Sequence, residues 1–214
     1  SVDGAAEAAT LNGTWRPLAF SRSGPVDQAP VAFVGYGLVA QGAGEQAAVD
    51  SYGDVSVEGK WALIWRGMPY DATPKRRTWL SSFSDMRYKA SVAKSRGAVG
   101  VIFAPPPQPG FEDKLPRLTY EATSGAASLP VVAVTRTEAA RMLSIFRDLD
   151  AIERAANAGE AAARDMIGGS ATADIALSFE TRTGRNVLAR LNLTEADAPP
   201  LVIGAHVDHL GRGE

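Results

Sequence analysis

The stretch Ser84–Phe103, SDMRYKASVAKSRGAVGVIF, decides how this chain folds. Ser84 or Asp85 can cap a helix, because a short oxygen-bearing side chain accepts hydrogen bonds from the first free backbone N–H groups. Met86, Ala90 and Ala93 recur at helical spacing and give the helix one apolar side. It is expected to run to about Arg96 and to stop at Gly97, the glycine that takes a left-handed turn after a helix. Val99–Phe103 then reads as a short buried strand. A helix feeding an apolar strand through Gly-Ala is a compact α-to-β unit, so a mixed α/β fold (α+β mixed), with short strands and flanking helices, is expected.

Working outward, the same grammar repeats. Upstream, Trp61–Trp65 is an apolar, β-prone run after the turn Glu58-Gly59-Lys60, and Val31–Val34 is a strand closed by Gly35-Tyr36-Gly37. Trp15–Phe20 reads as a short strand interrupted by Pro17, and residues 21–30 (SRSGPVDQAP) read as turns. Downstream, Leu129-Pro130 opens the strand Val131–Val134, and Thr135 with Glu138 forms a capping-box pattern. Ala139, Met142, Leu143, Phe146, Leu149 and Ile152 mark the buried side of a helix reaching about Asn157. A second Ala-rich piece is expected to reach Ile167 before Gly168-Gly169. Two loops stand out. Residues 68–79 read as a polar loop with Lys75, Arg76 and Arg77 as a solvated tip, and residues 104–129 form a long proline-rich loop, either a flap over a neighbouring site or a passive surface segment.

After the helices the pattern alternates. Ala171–Glu180 and Asn186–Leu193 read as half-buried strands, and with Leu201–Ile203 they suggest the opening of a new sheet. If most of that sheet is missing, strands in 171–205 would be free to self-associate.

Composition narrows the function. Of the 214 residues, 45% are hydrophobic and 21% charged, which suits a globular chain and not a disordered one. The net charge of −2 favours neither nucleic acid nor an anionic membrane as partner, and no apolar run approaches the ~18 residues of a membrane span. The absence of cysteine excludes disulfides, thiolate zinc sites and cysteine nucleophiles. Two motif matches carry little. Gly35, Gly37 and Ala40 fit G-x-G-x-x-A, but QGAGEQ is poor helix material to follow a dinucleotide site. Ser91-Val92-Ala93-Lys94 fits S-x-x-K without either of its partner motifs.

The chemistry concentrates at Leu201–Gly211, LVIGAHVDHLG, where both histidines of the chain lie. An apolar run that ends in Gly-Ala and then presents His206, Asp208 and His209 suits the carboxyl edge of a sheet. Strand alternation places His206 and Asp208 on one face. A ligating imidazole beside a carboxylate that orients it is one reading of that pair; a solvated histidine at a strand end is the other.

GAHVDHLG resembles the first metal-binding segment of metallopeptidase family 28, the di-zinc aminopeptidase-like enzymes. The succession FVGYGL, YGDVSVEGK, RGAVGVIF and LPVVAVTRTEA resembles a protease-associated domain. The resemblance implies an N-terminal arm (1–24), a protease-associated domain (25–150), a helical linker (151–170) and the start of a zinc-peptidase domain (171–214). His206 would be a zinc ligand and Asp208 the residue that orients it; His209 receives no role. The family uses two zinc ions and takes its remaining ligands and general base from further along. The chain ends five residues after His209, so zinc is not expected to be retained by these residues alone.

The resemblance implies a zinc-dependent exopeptidase, an aminopeptidase acting on peptide substrates, in a secreted or periplasmic setting. SVDGAAEAAT at the start lacks the basic and apolar regions of a secretory signal. The competing reading is a non-catalytic lid or protein-interaction module, as in receptor-like relatives.

Overall fold

The computed structural model describes residues 9–108, 110–118, 127–143, 149–158, 167–178, 187–189 and 202–204. In chain order its elements are β1 (Trp15–Pro17), β2 (Gly24–Phe33), β3 (Val39–Ala40), β4 (Val49–Asp50), β5 (Trp61–Trp65), α1 (Pro74–Ser81), α2 (Met86–Ser95), β6 (Gly100–Ala104), β7 (Val131–Val134), α3 (Arg136–Leu143), α4 (Leu149–Asn157) and β8 (Ile167–Ile175). The fold is mixed α/β. Six strands form one sheet in the order β1-β7-β6-β5-β2-β8, and β3 pairs with β4 in a separate two-stranded ribbon.

The centre of the sheet follows from composition. β5 (WALIW), β6 (GVIFA) and β7 (VVAV) are buried at every position. Strands covered on both faces read as continuous apolar runs and favour parallel pairing. β2, β5, β6 and β7 are indeed parallel neighbours, with Val31 opposite Trp61, Trp61 opposite Gly100 and Val101 opposite Val131. The antiparallel strands β1 and β8 close the two edges.

Helix α2 confirms its punctuation. The Asp85 side chain accepts from the Arg87 and Tyr88 backbone N–H groups at 2.8 and 3.2 Å. Gly97, at φ +83°, takes the left-handed turn just past the helix. Asp85→Ala should lower the stability of the chain by about 1 kcal/mol in urea unfolding, and an unchanged midpoint would mean that water replaces the cap.

Four sequence expectations change. Residues 74–81 are not loop but α1: Thr73 caps it by accepting from the Arg76 N–H, and Pro74 occupies the first turn, where its missing N–H costs nothing. The turn-rich segment from Gly24 onward is the first half of β2; its prolines are tolerated because this half pairs only with β8, through a register broken between Val26 and Ala29 and between Pro30 and Val31. Ile167-Gly168-Gly169 opens β8 instead of closing a helix. The strand expected to begin a second sheet at Ala171 is part of β8 and lies antiparallel to β2 in the first sheet, where the Trp61 indole N–H donates to the Ala171 carbonyl at 3.1 Å.

By compactness the chain divides into Ser1–Ser178 and Phe179–Glu214. In the second unit, Val187, Leu188, Val202 and Ile203 are exposed. Among the described residues no helix is long and apolar enough to cross a membrane.

Candidate functional site

Parallel strands bring their carboxyl ends to one edge, and open α/β sheets place ligand-facing groups beyond it. Here that edge is built from Val34–Gly37 after β2, Arg66–Met68 after β5, residues 105–108 and 110–118 after β6, and Thr135 with Arg136 after β7. The turn after β2 passes very close to β5. Gly37 sits at φ +60°, and a Cβ there would lie 2.8 Å from Ile64 Cγ2, so only glycine fits. The chain then enters β3, not a helix, which removes the helix N-terminus that a dinucleotide site would require.

Lys89 of α2 is wholly buried under this edge. Its Nζ donates to the carbonyls of Trp65 at 3.1 Å and Gly67 at 2.6 Å, and it lies 5.8 Å from the centre of the Tyr36 ring. These bonds tie the helix to the turn that leaves β5. Burial pushes the amine down to about 7, partly opposed by the Asp85 carboxylate one turn earlier. Tyr36 packs edge-on against Trp65 with ring centres 5.5 Å apart, and its hydroxyl donates to Asn157 Oδ1 at 2.6 Å, fastening the end of α4 to the turn after β2. Burial raises the Tyr36 hydroxyl above its ordinary range, with smaller contributions in the same direction from Tyr70, Asp71 and Glu153.

Arg66 follows β5 directly. Its guanidinium stacks over the Phe111 ring at 5.0 Å, yet Nε and Nη2 are closed to solvent and have no hydrogen-bond partner among the described residues. Burial lowers its affinity for the proton, with Asp113 acting in the opposite sense. The segment that carries Phe111 is held from α3: Arg136 Nη2 donates to the Pro106 and Phe111 carbonyls at 3.3 and 3.2 Å, and the Arg136 backbone N–H donates to Asp113 Oδ1 at 2.8 Å. Arg16 Nη1 adds a bond to the Pro116 carbonyl at 3.1 Å. The described part of the long proline-rich loop is therefore tied across the sheet edge.

The residues expected to carry metal chemistry, His206 and Asp208, lie outside the described residues, as does His209. Among the described residues no group of three or more His, Cys, Asp or Glu is arranged to hold a metal ion. Ser91 and Lys94 are both exposed on α2. Sequence reasoning missed Lys89 and Arg66, although each left a signal. Lys89 stands on the apolar side of α2, three residues after Met86 and four before Ala93; Arg66 is the charged residue that ends the run WALIW.

Residues 25–142 match the family described as PA domain. No curated protein matches the chain. Among solved structures, a zinc aminopeptidase from Bacillus subtilis, BSAP, is similar at 21% identity and a TM-score of 0.36, over 60% of this chain and 24% of that one. The chain thus spans about a quarter of that structure's length.

Proposed function

We propose that this chain, which belongs to the PA domain family, is the accessory domain of a zinc-dependent exopeptidase, an aminopeptidase, together with the first metal-binding segment of its catalytic domain. A protease-associated role follows from the family itself. What supports the finer reading is one observation: a protease-associated domain over residues 25–142 is followed, within the same chain, by GAHVDHLG. His206 would bind zinc through one ring nitrogen, and Asp208 would accept the other ring N–H, which selects the tautomer that ligates. Zinc bound there supplies Lewis acidity to a coordinated water. The substrate would be a peptide, in a secreted or periplasmic setting. The carboxyl edge of the sheet, with Arg66, Phe111 and Arg136, is the surface through which the accessory domain would influence access. Val187, Leu188, Val202 and Ile203 would be covered by a further part of the peptidase sheet or by a second copy.

The test is hydrolysis of a panel of aminoacyl anilides by the natural protein, with zinc content measured alongside. Zinc-dependent turnover is expected, and His206→Ala should lose one metal ion per chain. Full zinc content and unchanged turnover in that variant would remove His206 from the site. Asp208→Asn should weaken zinc binding ~10–100-fold, the scale for a residue that orients a ligand; an unaltered zinc titration would overturn its role. Absence of hydrolysis from a folded, zinc-loaded protein would instead favour a non-catalytic interaction module.

A further inference from the structure

The two unpartnered atoms of Arg66 are not an arbitrary pair. Nε and Nη2 form one in-plane edge of the guanidinium, on which two N–H bonds point the same way and match the two oxygens of a carboxylate. Stacking on Phe111 occupies the face of the group and leaves the in-plane edge uncommitted. Buried polar groups are almost always hydrogen-bonded, so two buried donors without acceptors on one side chain ask for an explanation.

The carboxylate that acts on Arg66 does not provide one. Asp113 is close enough to act on Arg66 electrostatically, but its Oδ1 accepts from the Arg136 backbone N–H and it makes no hydrogen bond to Arg66. The surroundings suit an anion. Arg66 comes directly after a central parallel strand, its backbone N–H is anchored at 2.9 Å on the Ala104 carbonyl at the end of β6, and Arg136 brings a second guanidinium to the same Phe111 segment. Position, planarity and added positive charge agree.

We propose that Arg66 is the receptor of a binding site for a carboxylate, held side-on by Nε and Nη2 at the carboxyl edge of the sheet and covered by Phe111. The site takes an unhydrated carboxylate from a peptide, either its C-terminus or an acidic side chain. Because both donors are closed to solvent, the groups packed over that edge must shift for the ligand to enter. The inference does not depend on zinc or on peptide hydrolysis, since it uses only residues of the first compact unit.

The test is a titration of the natural protein followed at the Arg66 side-chain Nε–H resonance by NMR. The probes are N-acetyl-dialanine, which offers a C-terminal carboxylate, N-acetyl-glutamate amide, which offers only a side-chain one, and N-acetyl-dialanine amide, which offers neither. A saturable shift with either carboxylate and none with the amide is the expected result; whichever acid binds at least tenfold tighter identifies the source. Arg66→Lys keeps the charge but lacks the planar pair of donors, so it should bind at least tenfold more weakly, while Arg22→Lys, at an exposed arginine beside the opposite end of β7, retains binding. A resonance unmoved by both acids, equal shifts with acid and amide, or full affinity in Arg66→Lys would each overturn the proposal. The wild-type titration decides the matter even if the Lys variant does not fold.

Discussion

Unfolding free energy should rise by roughly 3 kcal/mol between pH 7 and about pH 9.5, and the rise should vanish in Lys89→Met. Lys89 is fully buried, and burial lowers its amine from the ordinary 10.5 to about 7. Between those values the unfolded chain binds a proton that the folded chain has released, so stability climbs with pH, by up to about 1.4 kcal/mol per pH unit. Above the unfolded value the cost of burying the charge is gone; as pH falls through about 7 that cost is present in full. The buried hydroxyls of Tyr36 and Tyr52 are both raised, and they act in the reverse sense. Their contribution is present below the ordinary tyrosine value and is lost above it, so measuring below pH ~10 keeps the two effects apart. Met at position 89 fills a similar volume without a titrating group, at the expense of leaving the Trp65 and Gly67 carbonyls without their donor. Urea unfolding at a series of pH values is the measurement. A flat profile in the natural chain, or the same slope in Lys89→Met, would show that Lys89 keeps its proton through the window.

Gly100→Ala should destabilise the chain by about 3 kcal/mol, the upper part of the usual range for overpacking. Gly100 and Trp61 are direct neighbours across β5 and β6, and a Cβ on residue 100 would come within 3.0 Å of Cε3, Cζ3 and Cη2 of the indole. Trp61 has little freedom to yield. It is 1% exposed, and its Nε1 is bonded to the Ala171 carbonyl of β8. Displacing the ring therefore strains the centre of the sheet and loosens the bond to its edge. The denaturant midpoint should drop with an unchanged slope, since the same surface is exposed on unfolding. In a Trp61→Leu background the extra methyl should cost much less, because the clashing ring is gone; additive losses in that double-mutant cycle would refute the steric account.

Local sequence was most informative where a single mechanism decides the outcome. β5, β6 and β7 are legible because strands buried on both faces must be apolar throughout, and α2 because Asp85 and Gly97 mark its ends by hydrogen bonding and by backbone conformation. The helix at 74–81 was hidden by its charges: Lys75, Arg76 and Arg77 suggest a solvated loop, while the cap written in Thr73-Pro74 outweighs them. β8 was recognised as strand-forming from Ala171, but its partner was not, because pairing with β2 joins residues about 140 positions apart and leaves no local trace. Lys89 and Arg66 share that difficulty. What makes each of them unusual is the set of carbonyls and rings assembled around it from other strands, which no window of neighbouring residues contains. His206 and Asp208 stand at the opposite extreme, legible by motif and lying outside the described residues.

The antiparallel pairing of β2 and β8 sets Gly24 directly opposite Ile175. Partner residues of this kind sit ~5 Å apart. Everything between them, including the three central parallel strands and all four described helices, is a loop that starts and finishes at one place. Such a body can be spliced into a host protein, or cut from one and replaced by a tight turn, without changing the distance between the flanking pieces of the host. β1 alone supplies its strand from outside that span, and it is the piece a graft of residues 24–175 would have to do without.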